Sequence, residues 1–239
     1  MVATALGFTL IPVLAALVSG IVAAVRQPGP RVKSGLQHLA AGVVFAAAAI
    51  ELLPGVLAHS PVVAIIGFGI GIAVMFGFRA LGQHLEHRRE QAGAVGLPIG
   101  MAVAIGIDFF IDGVILGAGF ASGSRVGVLL TIALAVEYLF VGLSLAATAA
   151  GTATRTFVVL APVALALLTV LGTLLGLVLL AGVSATVLGG VLAFGAVAFM
   201  YLATEELLVE AHAEGETSIG SVGFFVGFLV YLVLAELIS

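Results

Sequence analysis

The strongest constraint on this chain is a succession of eight apolar stretches, each of membrane-spanning length: about 3–25, 36–58, 61–80, 97–120, 126–150, 156–181, 185–209 and 217–238. A helix needs roughly 20 apolar residues to cross the hydrocarbon layer. In lipid the backbone must satisfy its own N–H and C=O groups, and a helix does so within one segment. The sequence therefore predicts an all-α membrane protein, an eight-helix transmembrane bundle forming one transmembrane domain over 1–239. Composition agrees, since 62% of the residues are hydrophobic and 8% are charged, where a soluble domain carries about 25% charged residues. The first stretch has no basic segment before it and no cleavage box after it, so it is expected to be a retained helix. No cysteine is present, which excludes disulfides and thiolate metal ligands.

The eight Lys and Arg residues set the expected orientation. Arg26, Arg31 and Lys33 lie between the first two spans, Arg79, Arg88 and Arg89 at or after the end of the third, and Arg155 between the fifth and sixth. Only Arg125 falls on the opposite side. The positive-inside rule then places both termini outside, in a multi-pass protein of the cell membrane. Pro54, Pro61 and Pro98 sit near span ends, where a missing N–H is least costly. Gly67/Gly71, Gly113/Gly117 and Gly172/Gly176 form small-xxx-small pairs that let helix backbones approach closely.

Against this apolar background the intramembrane acids stand out. Asp108 and Asp112 lie four residues apart in the fourth span, on one helix face. A similar stretch follows in the fifth span, with Glu137 aligned to Asp108, Tyr138 to Phe109 and Gly142 to Gly113. The two spans run antiparallel, so Asp108, Asp112 and Glu137 are expected at one level near the midplane, where secondary transporters bind their substrates. An ionised acid at a helix centre costs about 2.5–3.5 kcal/mol, so three unpaired acids would cost roughly 8–10 kcal/mol. No Lys or Arg lies deep enough to offset this. The positive charge must come from protons or from a bound cation. Intramembrane acids mark a functional site by default, and carboxylate oxygens suit hard divalent cations. The structural alternative is a set of protonated acids hydrogen-bonded between helices.

The other polar residues are secondary candidates. Glu51 is in the outer half of the second span, and Glu205 and Glu206 are at the inner end of the seventh. Glu51–Leu52–Leu53 and Glu206–Leu207–Leu208 lie on spans of opposite direction. They read as the trace of an inverted repeat, spans 1–3 matched to 6–8 around a central pair, in a 3+2+3 arrangement. In that reading Glu51 lines the outer entry and Glu206 the inner exit; the alternative is an interfacial acid reaching water. Glu236 reads as a chain-end acid. His84 and His87 fall in the connection after the third span, and His212 beside an acidic inner loop. Each is a weak metal ligand or a solvated loop residue. His38 and His59 read as interfacial. No P-loop, GxSxG or HExxH motif is present, so no enzyme chemistry is expected.

These residues together resemble the Zrt/Irt-like (ZIP) family of divalent metal transporters. The resemblance rests on eight spans with both termini outside, a His-containing inner connection between spans three and four, and paired motifs on spans four and five. It also rests on Ala41–Gly42–Val43–Val44–Phe45 running on to Glu51–Leu52–Leu53–Pro54, and on Glu205–Glu206–Leu207–Leu208. The family's H-N-x-P-E-G motif on span four is Asp108–Phe109–Phe110–Ile111–Asp112–Gly113 here. On span five only Glu137 keeps a ligand, because Val141 cannot coordinate, and the family's glutamate on span six falls near Thr169. The resemblance implies one metal site of Asp108, Asp112 and Glu137, with Thr169 as a weak oxygen ligand, in place of a two-metal centre.

The expected function is secondary transport of divalent metal cations through this carboxylate site, into the cytoplasm by family resemblance. The loss of imidazole favours manganese, iron or another hard cation over zinc. The partners expected are the metal ion and the lipid bilayer, with no nucleic acid. A homodimer is among the family's expectations and has no motif of its own here. The alternatives are transport of another cation or of protons, and a ZIP-like membrane scaffold or sensor that does not transport.

Overall fold

A computed structural model describes residues 2–25, 29–57, 61–91, 99–149, 153–213 and 218–238. These residues are almost entirely helical, with no β-strand among them. The chain order is α1 (Val2–Val25), α2 (Pro30–Ala47, continued by a π turn Ala48–Leu52 and Leu53–Leu57), α3 (Pro61–Gln91) and α4 (Ile99–Ser122). Then come α5 (Ser124–Ala149), α6 (Arg155–Leu179), α7 (Ala185–Tyr201, continued by a π turn Leu202–Leu207 and Leu208–Ala213) and α8 (Ser218–Leu237). Helices α1 to α7 are each long and apolar enough to cross a membrane, and α8 adds a shorter apolar stretch, Val222–Leu237. The chain thus has the architecture of an all-α, multi-pass membrane protein. His59 and Pro98, both noted in the sequence, lie outside the described residues, as do Arg26, Glu214 and Glu216.

Local chemistry sets the helix ends. Pro30 opens α2 after Gly29, where the absent N–H has no intrahelical role. Thr154 and Ser184 cap α6 and α7, accepting from the N–H of Phe157 at 3.3 Å and of Val187 at 3.4 Å. The π turn in α2 ends two residues before Pro54 and includes Ile50, the residue four back from it. A proline there removes the bond to the carbonyl four residues back and crowds that carbonyl, and a wider turn accommodates both. The π turn in α7 contains Glu205 and Glu206, and that in α2 contains Glu51. In one respect the structure corrects the sequence reading. His84 and His87 lie on the exposed last turns of α3, and His212 on the last turn of α7, not in loops. The run Gln83–Gln91 contains no Gly or Pro and is rich in helix formers, so the helix continues past the apolar stretch.

Packing is selective. α4 lies along α6, and α1 along α5; α2 lies along α8, and α3 along α7; α1 also crosses α6. Glycines make the closest approaches. A Cβ on Gly113 would stand 2.2 Å from the Thr169 carbonyl oxygen, and one on Gly172 2.1 Å from that of Phe110. Gly117 and Gly176 extend the same seam by one turn, and Gly67 meets the Gly190 carbonyl across α3 and α7. Close backbone contact of this kind replaces the hydrophobic drive that lipid does not supply between helices. The outward faces of α3 and α8 carry large aliphatic and aromatic side chains, including Ile65, Ile70, Phe76, Phe225 and Leu229. Polar side chains buried inside the bundle include Thr9, Gln37, Glu51, Asp112, Glu137 and Thr169.

The α4–α6 seam makes a specific prediction. Gly172→Val should destabilise the protein by about 1–3 kcal/mol or more, because the added side chain meets backbone. Gly69→Ala, where a Cβ would have nothing within 4 Å of it, should leave stability nearly unchanged. Thermal unfolding of the purified variants measures both, and equal melting temperatures would contradict the packing described.

Candidate metal centre

Asp108 and Asp112 project from the middle of α4, one turn apart, and Glu137 from the middle of α5. Their carboxylate oxygens converge, with one ligand atom from each lying within 4.8 Å of the others. Asp112 is 1% exposed and Glu137 0%, while Asp108 is half-buried. Among the described residues no Lys or Arg pairs with any of the three. No N–H or hydroxyl of these residues donates to either oxygen of Glu137. Three acids therefore share one small volume with fewer donors than an ionised set needs.

One donor comes from Tyr138, next to Glu137 on α5. Its hydroxyl lies 3.3 Å from Asp112 Oδ2 and 3.4 Å from the Phe109 carbonyl oxygen. It also shares a short hydrogen bond with Thr169 Oγ1 on α6. Thr169 is fully buried and belongs to this neighbourhood through Tyr138. The ring of Tyr138 stacks on Phe109, with centroids 3.7 Å apart and planes 18° from parallel. The two positions aligned between the stretches on α4 and α5 are thus in face-to-face contact. Sequence reasoning aligned Phe109 with Tyr138 but gave neither a role, and so missed this contact. Their equal offset from Asp108 and Glu137 was the available signal.

Asp108 opens onto a cavity of about 400 Å³ between α3, α4, α5 and α7. Its wall includes Val141, Ser144, Tyr201, Glu205, Glu206 and Glu210. Arg79 at the same wall pairs with Glu205 at 3.0 Å, both side chains being exposed. Glu210 pairs with Lys33 at 2.8 Å and accepts from Ser144 Oγ. This is the helix end to which the basic residues assign the inner side. Toward the opposite end, the buried side chains Ile115, Leu116, Leu130 and Leu134 follow the acids along α4 and α5.

Of the other candidate ligands, Glu51 and the histidines lie apart from the trio, while Glu205 and Glu206 share the cavity onto which Asp108 opens. Glu51 is 5% exposed and faces Arg125, with Nη1 3.4 Å from Oε2. Arg125 also donates through Nη2 to the Ala235 carbonyl at 2.8 Å. Glu205 and Glu206 stand in the cavity wall. His84 and His87 are exposed on α3, and His212 is exposed near the end of α7. Compared with known proteins, the chain matches no family model and no curated sequence.

The Arg125–Glu51 and Arg79–Glu205 pairs differ in a way that stability measurements resolve. In Arg125→Gln, Glu51 loses its charge partner while buried, and the expected loss is about 1–3 kcal/mol, less than for a fully buried pair because Arg125 is partly exposed. Arg79→Gln breaks an exposed, solvent-screened pair and should cost clearly less than Arg125→Gln. Adding Glu51→Gln to Arg125→Gln should recover much of the loss. Equal effects of the two arginine substitutions in thermal unfolding would contradict this assignment.

Proposed function

We propose that the protein is a secondary transporter of divalent metal cations, a divergent ZIP-like carrier whose transport site is Asp108, Asp112 and Glu137. The observation that carries the proposal is the convergence of three carboxyl groups within 4.8 Å, two of them buried and one half-buried, with no basic side chain paired to them among the described residues. A divalent cation balances most of that charge and takes up oxygen lone pairs that otherwise go unmet. An all-oxygen set favours hard ions, so manganese or iron is expected ahead of zinc. The metal is cargo, and Tyr138 orients Asp112 for it.

The packing supports the inverted-repeat reading with eight spans. Exchanging α1–α3 with α6–α8, and α4 with α5, turns the α1–α5 contact into α6–α4 and the α2–α8 contact into α7–α3; all four contacts are present. The π turns occupy matching places in α2 and α7, each beside a Glu-Leu-Leu. Repeats of this kind rock against each other to give alternating access. The cavity that reaches Asp108 supplies a water-accessible route on the Glu206 side. The basic residues favour that side as cytoplasmic, and the family resemblance favours movement into the cytoplasm, with both termini outside.

Reconstituted liposomes test the proposal. Wild type should take up manganese or iron faster than zinc, and uptake should slow as protons compete for the acids at lower pH. Asp108→Asn/Asp112→Asn should reduce uptake about tenfold or more. No cation movement by wild type, or equal uptake by the double variant, contradicts transport through this site. Metal binding without movement is the result the scaffold or sensor alternative predicts.

A further inference from the structure

A second group of unsatisfied polar atoms lies where α2 meets the end of α7, and the carboxylate site does not use it. His38 is 3% exposed, and its Nδ1 is 2.8 Å from the Ser34 carbonyl oxygen. A carbonyl only accepts, so Nδ1 carries the hydrogen and Nε2 presents a lone pair. That Nε2 is buried without a hydrogen-bond partner. His212 is held in the same manner, its Nδ1 against the Leu208 carbonyl oxygen four residues back. The two rings meet edge to face, with centroids 5.0 Å apart and planes at 71°. Ser34 Oγ donates to the Ala211 carbonyl at 2.9 Å and ties the helices together beside the rings. Gln37, adjacent on α2, is 1% exposed with neither amide atom partnered.

An imidazole that donates one N–H to a backbone carbonyl and keeps its other nitrogen free is oriented as metal-binding histidines are. With metal–nitrogen bonds of about 2.0–2.1 Å, two imidazoles on one tetrahedral ion have ring centres about 5 Å apart. The observed spacing fits that geometry. We propose that His38 and His212 are ligands of a second cation site, one for imidazole-preferring divalent ions such as zinc or cobalt. Its chemistry is the reverse of the all-carboxylate centre, which favours harder ions. His212 is exposed, so the site is reached from water at the end of α7. Glu210, two residues away, lines the mouth of the cavity. The site stands on its own geometry, whatever the carboxylate trio transports.

The test uses the purified full chain in detergent, with zinc as the probe. Asp108→Asn/Asp112→Asn/Glu137→Gln removes the carboxylate centre. That variant should still bind zinc in calorimetric titration, with imidazole scattering in the zinc-edge X-ray absorption spectrum. Adding His212→Ala should weaken zinc binding about tenfold or more and remove the imidazole signature. Adding His38→Gln should do the same, with circular dichroism checking the fold. In the otherwise native chain, His212→Ala alone should lose one class of zinc site, which decides the matter even if the triple variant does not fold. Unchanged zinc binding after His212→Ala, or bound zinc without imidazole scattering, overturns the proposal. Failure of this test leaves the carboxylate reading standing, and failure of manganese or iron transport leaves this one standing.

Discussion

Three carboxyl groups held together inside an apolar bundle set the terms for the rest of this structure. Ionised and unpaired, they would oppose insertion by roughly 8–10 kcal/mol. The fold nevertheless converges on them from two helices. Gly113 and Gly172 bring α4 against α6, so Thr169 reaches the hydroxyl of Tyr138, and Tyr138 reaches Asp112. The Phe109–Tyr138 stack fills the space beside the acids with rings. These contacts position the carboxylates without neutralising them. On the transport reading, a cation that enters neutralises them.

The two ends of the bundle differ around this centre. On one side a cavity reaches Asp108, lined by further acids, two of which are engaged by Arg79 and Lys33. On the other side, aliphatic packing along α4 and α5 leads to the Glu51–Arg125 pair. A carrier must open each side in turn, so the contacts that hold one side shut must be weak enough to exchange. A partly exposed ion pair and close-packed glycine seams suit sliding or rocking better than a deeply interlocked core does. The π turns add local irregularity beside Glu51 and Glu206, where wider turns often accompany functional sites.

Much of this was legible in the sequence, because lipid imposes simple rules. Apolar length located the helices to within a few residues at most ends. The i,i+4 spacing of Asp108 and Asp112, together with the antiparallel course of the next span, indicated that Glu137 would join them. What stayed hidden depends on side-chain detail. Tyr138 reads only as the position aligned with Phe109 until the path of its hydroxyl is known. Arg125 and Glu51 are 74 residues apart, and nothing local relates them. α3 runs on to Gln91 because helix propensity continues where hydropathy stops. His38 and His212 read separately as interfacial and loop residues. Only the crossing of α2 and α7 makes them a pair.

The most direct test of the central claim is anomalous diffraction from crystals of the protein grown with manganese. The account predicts a manganese peak bounded by the carboxylates of Asp108, Asp112 and Glu137, and its loss in Asp112→Asn. A well-ordered trio with no anomalous peak in the presence of saturating manganese, or a peak that survives that substitution unchanged, would contradict it.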